Sequence, residues 1–210
     1  MRRSWKTYAV AIPLAVVAAL ATVVIWGQLQ PKPAGFAPTE EAAVAAVPDS
    51  SAVQFTVDAR DKKQWVFFDF DSGTVVDSDF TALDWDLAFR RTKLRTNGGE
   101  TNALGPVGVA GLGETDFALA ELPDTPKFTV DALMGEDGDE LKNPAIEKWY
   151  RYNFIKHVIV ARADVYLVRT GGDRDAVVRF DSYYCEDESP GCVTFTYRLV
   201  PSTGAVGSPH

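Results

Sequence analysis

The sequence predicts an all-β, mainly antiparallel domain behind one N-terminal transmembrane helix. Three observations carry this expectation. From Val53 onward apolar residues recur with period two rather than 3.6. β-Branched and aromatic residues gather in short runs separated by Gly, Asp and Ser. Ahead of them, residues 7 to 31 ("TYAVAIPLAVVAALATVVIWGQLQP") contain no charged side chain.

The N-terminal run comes first. At 1.5 Å per residue it could extend roughly 37 Å, against about 30 Å of hydrocarbon core. Arg2, Arg3 and Lys6 precede it and only Lys32 follows closely, so the positive-inside rule places the N-terminus in the cytoplasm and the rest of the chain outside. The competing reading is a cleaved signal peptide, with "ALA" at 19 to 21 as the small-residue site. Because the apolar run continues to Trp26, the expectation is a retained anchor over 1–30, single-pass in the inner membrane.

Residues 31–52 ("PKPAGFAPTEEAAVAAVPDSSA") hold four prolines and many alanines, a composition that buries no core and predicts a linker. A short helix over "TEEAAVAAV", capped by Thr39, is the one element it suggests. The β domain is expected over 53–200, followed by a flexible tail, 201–210.

Within the domain the candidate strands are 53 to 59, 64 to 70, 73 to 77, 84 to 91, 157 to 161, 164 to 170, 176 to 184 and 192 to 200. In "DWDLAFRR" (84 to 91) strict alternation sends Trp85, Leu87 and Phe89 to a core face and Asp84, Asp86 and Arg90 to a wet one. "TNGG" (96 to 99) reads as its exit turn, since Asn-Gly readily takes positive φ. The last two runs flank "CEDESPGC" and predict a hairpin closed by an acidic loop. Cys185 and Cys192, the two cysteines of the chain, border that loop on the side of the membrane where disulfides persist, so a bridge is expected. Between 100 and 148 the pattern weakens, with one helix suggested over "NPAIEKWYRY", capped by Asn143.

Charge narrows the function. All 29 acidic residues and 18 of the 21 basic ones follow the apolar run, a net of −11. That argues against nucleic acid, whose binding rests on neutralised phosphates, and against flat docking on anionic lipid. "GVAGLG" (108 to 113) has the glycines of a dinucleotide loop in the wrong order and is expected to be a flexible loop. "DFDSG" and "EDGDE" lack the ligand series of an EF-hand. The body of the domain offers one histidine, His157, and no nucleophile elbow, so no enzymatic activity is expected.

"WDLAFRRTKLRTNGG" (85 to 99) resembles the signature of the HmuY family, extracytoplasmic β-rich proteins known mainly as bacterial haem binders. "QWVFFDFDSGTVV" (64 to 76), "WYRYN" (149 to 153), "HVIVARADVYLVRT" (157 to 170), "FDSYY" (180 to 184) and "CVTFTYR" (192 to 198) are similar to its later blocks, in order. The resemblance implies an all-β fold likened to a hand, with haem held between finger-like loops by two His or Met side chains. After the anchor this chain supplies only His157, the terminal His210 and Met134. His157 and Met134 are the pair to test as axial ligands, beside the plainer readings of a structural histidine and a packing methionine.

The basic residues Arg90, Arg91, Lys93 and Arg95 admit three readings: neutralisation by Asp84, Asp86 and other carboxylates across neighbouring strands, a clamp on anionic groups such as haem propionates, or contact with a partner protein. The anchor and short linker favour a local partner, with "WYRYN" and the tail as docking surface. The expected function is therefore a non-catalytic accessory subunit docked on an inner-membrane complex of respiratory or photosynthetic type. A haem-binding protein of the HmuY family is the alternative.

Overall fold

The computed structural model describes residues 5–29, 32–40, 51–135, 138–172 and 174–202. Helix α1 (Trp5–Leu29) comes first. It is followed by strands β1 (Gly35–Phe36), β2 (Val53–Asp58), β3 (Val66–Asp69), β4 (Thr74–Val76), β5 (Leu87–Arg90) and β6 (Lys93–Thr96). Next come β7 (Gly108–Glu114), a 3₁₀ turn at Phe117–Leu119, β8 (Ala132–Met134) and β9 (Glu140–Lys142). The chain closes with β10 (Tyr150–Asn153), β11 (Val158–Ala161), β12 (Asp164–Arg169), β13 (Arg174–Cys185) and β14 (Pro190–Pro201).

Two sheets face each other. The larger runs β2-β14-β13-β12-β7, all antiparallel, with β1 added parallel to the end of β13. The smaller runs β4-β3-β5-β6 and is antiparallel throughout. Alternation along β14 sends Val193, Phe195, Tyr197 and Leu199 into the space between them, where they meet Phe55 of β2, Phe68 of β3 and Phe89 of β5. Phe195 stacks on Phe89 at 5.6 Å and meets Phe68 edge-on at 5.1 Å. Burying each such ring stabilises the fold by about 1.5–3 kcal/mol.

The larger sheet is covered on its second face as well. Val165, Leu167 and Val177 point away from the main core and are closed over by Phe117, Ala120 and Phe128. Burial on both faces explains why β12 and β13 read as nearly continuous apolar runs.

Several expectations are corrected. The "GVAGLG" segment is not a loop but β7, paired with β12 through Val168↔Val109 and Leu167↔Ala110; Val109 and Ala110 are buried on opposite faces. The run "NPAIEKWYRY" makes only one turn, in which Ile146 and Glu147 amides donate to the Asn143 carbonyl, and then becomes β10. Ile146 and Trp149 are fully buried, and that anchoring pulls the chain into the hairpin partner of β11. Positive φ falls on Arg91 and Gly99, not on Asn97.

The segment 32–40 is no free linker. Gly35 and Phe36 pair with Tyr184 and Cys185, and Ser182 donates its hydroxyl proton to the Ala34 carbonyl. Thr39 exchanges bonds with Thr56, its amide donating to the Thr56 carbonyl at 3.0 Å and its hydroxyl accepting the Thr56 amide at 2.9 Å. Thr39 therefore serves the sheet; the helix suggested beyond it falls largely on 41–50, outside the described residues. Cys185 and Cys192 form the expected disulfide, with Cα atoms 4.8 Å apart.

Helix α1 stands apart from the core, its described apolar side chains from Ile12 to Leu29 exposed. Among the described residues no helix is long and apolar enough to cross a membrane. The expected transmembrane anchor is thus unsupported, and with it the single-pass placement in the inner membrane.

Candidate functional site

Two hairpins stand outside both sheets. The first pairs β8 with β9, from Ala132↔Lys142 to Met134↔Glu140, and Gly135 at φ 103° and Gly138 at φ 65° flank its turn. The second pairs β10 with β11, from Tyr150↔Ala161 to Asn153↔Val158. Its turn is fixed by the Asn153 side chain, whose Oδ1 accepts the amides of Ile155 at 3.0 Å and Lys156 at 3.1 Å. The Tyr184 hydroxyl accepts the Ile159 amide at 2.9 Å and ties this hairpin to β13. Trp149, which precedes β10, donates its indole N–H to the Thr92 carbonyl at 3.1 Å and packs on Phe180.

The two candidate ligands lie at the ends of different hairpins, Met134 closing a strand and His157 in a turn. Met134 is the last residue of β8, half-buried. His157 closes the turn before β11, exposed, in the left-handed region at φ 55°. Its Nδ1 lies 2.9 Å from the Tyr152 hydroxyl. That bond engages Nδ1 and orients the ring, as in an imidazole that binds metal through its other nitrogen. His157 therefore does not act as a core histidine. Beside it Tyr152 and Phe154 meet edge-on at 4.9 Å, and Phe154 is 78% exposed. Leu133, next to Met134, is 56% exposed. Apolar side chains left in water beside both candidate ligands suit the faces of a flat apolar ligand.

The four basic residues do not form one clamp. Arg91 turns away to the disulfide loop, donating to the Pro190 carbonyl at 2.7 Å and lying over the Tyr183 ring. Lys93 pairs with Glu140 at 2.6 Å, and Lys142 reaches the other oxygen of that acid at 2.8 Å. These two ammonium groups hold the Glu140 carboxyl down to about 2. Arg90 lies 4.4 Å over the Trp65 ring and Arg95 4.9 Å over it. Among the described residues neither Asp84 nor Asp86 forms an ion pair with these four cations. Ser78 donates to Asp84 at 2.5 Å, while Asp86 is buried against the backbone.

The distinctive "WDLAFRRTKLRTNGG" stretch is thus a buried scaffold. Asp86, expected on a wet face, is 1% exposed. Thr96 donates its hydroxyl proton to Asp131 at 2.6 Å and its amide at 3.0 Å. Asn97 donates its side-chain amide to the Trp85 and Ala82 carbonyls. Burial pushes both the Asp86 and Asp131 carboxyls up, Asp86 to about 7. Sequence reasoning missed Asp131 altogether: a lone acid between Val130 and Ala132 gives no periodic signal.

The HmuY protein family model matches residues 61–197. Solved structures share the fold at low identity. A Tannerella forsythia apo HmuY analog aligns with a TM-score of 0.56 and 17% identity, covering 73% of this chain and 99% of its own. A Bacteroides vulgatus protein described as a putative HmuY-like heme binding protein gives 0.55 and 21%, covering 79% and 97%. A putative lipoprotein from Bacteroides fragilis gives 0.54 and 21%, covering 82% and 99%. No curated protein matches the sequence. The expectation of an accessory subunit on a respiratory or photosynthetic complex is overturned: the family that matches is HmuY, and no comparison supports such a subunit.

Proposed function

We propose that this chain, which belongs to the HmuY family, is an exported, non-catalytic haem-binding protein that grips the porphyrin between its two projecting hairpins. The observation that carries the reading is the placement of Met134 beside exposed Leu133 on one hairpin, and of His157 beside exposed Tyr152 and Phe154 on the other. Imidazole and thioether together form a known axial pair for haem iron. The Tyr152 hydroxyl holds the His157 ring, and the three exposed apolar side chains offer van der Waals contact to the macrocycle. Haem is cargo here, bound and released rather than transformed.

Export is supported by the basic residues ahead of the uncharged N-terminal run and by the disulfide, which persists outside the reducing cytoplasm. One relative is itself described as a putative lipoprotein.

Titration of the full chain with ferric haem, followed through the Soret band, tests the reading. Saturable one-to-one binding is expected, with His157→Ala and Met134→Ala each weakening it by roughly tenfold or more. A haem spectrum unchanged by the protein would overturn it.

A further inference from the structure

Between β9, β6 and the root of β10 lies a cleft of about 280 Å3, lined by Trp65, Lys93, Arg95, Glu140, Lys142 and Tyr150 among others. Sites that enclose a drug-sized ligand run about 300–1,000 Å3, so the cleft admits the acidic arm of a ligand rather than a whole macrocycle. Its lining is richer in cations than in carboxylates that could neutralise them. Glu140 is already committed to Lys93 and Lys142, and Glu147 lies 3.9 Å from Lys142.

Arg95 is the group left over. Its Nε is buried with no hydrogen-bond partner, and no carboxylate among the described residues pairs with its guanidinium. An unsatisfied buried donor is costly, and guanidinium is the side chain best shaped for two parallel bonds to a carboxylate. The group is also held in place. Trp65 lies 4.9 Å and Phe80 5.1 Å from its central carbon, and the two rings brace each other edge-on at 5.5 Å. Less entropy is lost when a braced donor binds than when a free surface lysine does. Burial and neighbouring Arg90 lower the Arg95 pKa while Asp131 and Glu140 raise it; at neutral pH a guanidinium keeps its charge throughout.

We infer that this cleft is a carboxylate-binding site, with the braced Arg95 guanidinium as its receptor and Lys93 and Lys142 as flanking charges. The site adjoins the Met134 side of the proposed haem grip, because Glu140, in its wall, is the register partner of Met134; Tyr150, also in the wall, is at the root of the hairpin whose far turn carries His157. A haem propionate is therefore one source of the carboxylate, and a separate small organic acid is the other. The first source rests on the haem-binding reading; the second does not.

The full chain, as wild type, Arg95→Met and Arg95→Lys, is titrated with protohaem, with protohaem dimethyl ester and with succinate. Thermal melting confirms that each variant is folded. For the propionate source, wild type binds protohaem at least about tenfold more tightly than the ester. Arg95→Met removes that preference without changing ester affinity, and Arg95→Lys restores part of it. For the separate source, protohaem and ester bind alike, while succinate changes the tryptophan fluorescence of wild type and not of Arg95→Met. Should neither porphyrin bind, the haem reading fails and succinate alone decides the inference. The site is refuted if folded Arg95→Met matches wild type in both ester preference and succinate response.

Discussion

The Asp86 carboxylate accepts the Gly171 amide at 2.8 Å, and its second oxygen accepts the Phe70 amide at 2.9 Å. One acid before β5 thereby ties the smaller sheet to the turn that joins β12 and β13 in the larger. Desolvation raises its carboxyl to about 7, against the pull of those two amides, and nearby Asp69 and Asp71 push the same way. The folded protein therefore holds a proton that the unfolded chain, with an ordinary Asp pKa of about 3.9, has released.

Between roughly pH 4 and pH 7 this group binds more proton in the folded state, so its contribution to stability falls as pH rises, by up to about 1.4 kcal/mol per unit. Asn at this position does not titrate. It also offers one acceptor where two amides need one each, which costs about 1–3 kcal/mol. Urea unfolding should show the Asp86→Asn penalty to be larger at pH 4.5 than at pH 7.5. Parallel stability curves would mean that Asp86 titrates normally in the fold.

Gly99 sits at φ 63°, and a Cβ there would collide with the Asp131 carbonyl oxygen. Asp131 is the acceptor that organises the Thr96 to Thr101 turn. Gly99→Ala should therefore lose about 2 kcal/mol or more, from left-handed strain plus displacement of that carbonyl. An unchanged melting temperature would contradict the close approach.

Phenylalanines at two sites should separate stability from binding. Phe195→Ala empties the centre of the main core and should cost about 3–5 kcal/mol. Phe154→Ala, at an exposed ring, should change stability by less than about 0.5 kcal/mol, yet weaken haem binding. Equal haem affinity in wild type and Phe154→Ala would remove that ring from the proposed grip.

Segment 32–40 should behave as part of the domain. Deleting residues 1–31 should leave stability of the β domain almost unchanged, whereas deleting 1–50 removes the bonds of Thr39 to Thr56 and the β1 pairing. The longer deletion should cost about 1–3 kcal/mol more. Identical denaturation midpoints for the two truncations would put the domain start back at Val53.

Serine at both cysteines should cost about 2.5 kcal/mol in the chain-entropy model for so short a loop. The oxidised protein should weigh two hydrogens less than the reduced form by mass spectrometry, as expected from Cys185 and Cys192 bridging. A mass unchanged by reduction would deny the bridge.

The sequence by itself determined the β class and most of the strands. The runs near 53, 64, 73, 84, 157, 164, 176 and 192 all have strand counterparts in β2 to β5 and β11 to β14, because apolar alternation is a local property of the extended chain. The disulfide was legible for the same reason, its two cysteines bordering one short loop. Tertiary structure alone decided the rest. Glycine-rich β7 is a strand because β12 pairs with it, and "WYRY" leaves its predicted helix because buried Trp149 and Ile146 commit that segment to the core. Asp86 looks like a surface residue until an amide 85 positions away meets it. Likewise Arg95 becomes a candidate receptor only where the chain brings Trp65, Phe80 and β9 around it. A buried polar group is defined by partners distant in sequence, and periodicity measures only neighbours.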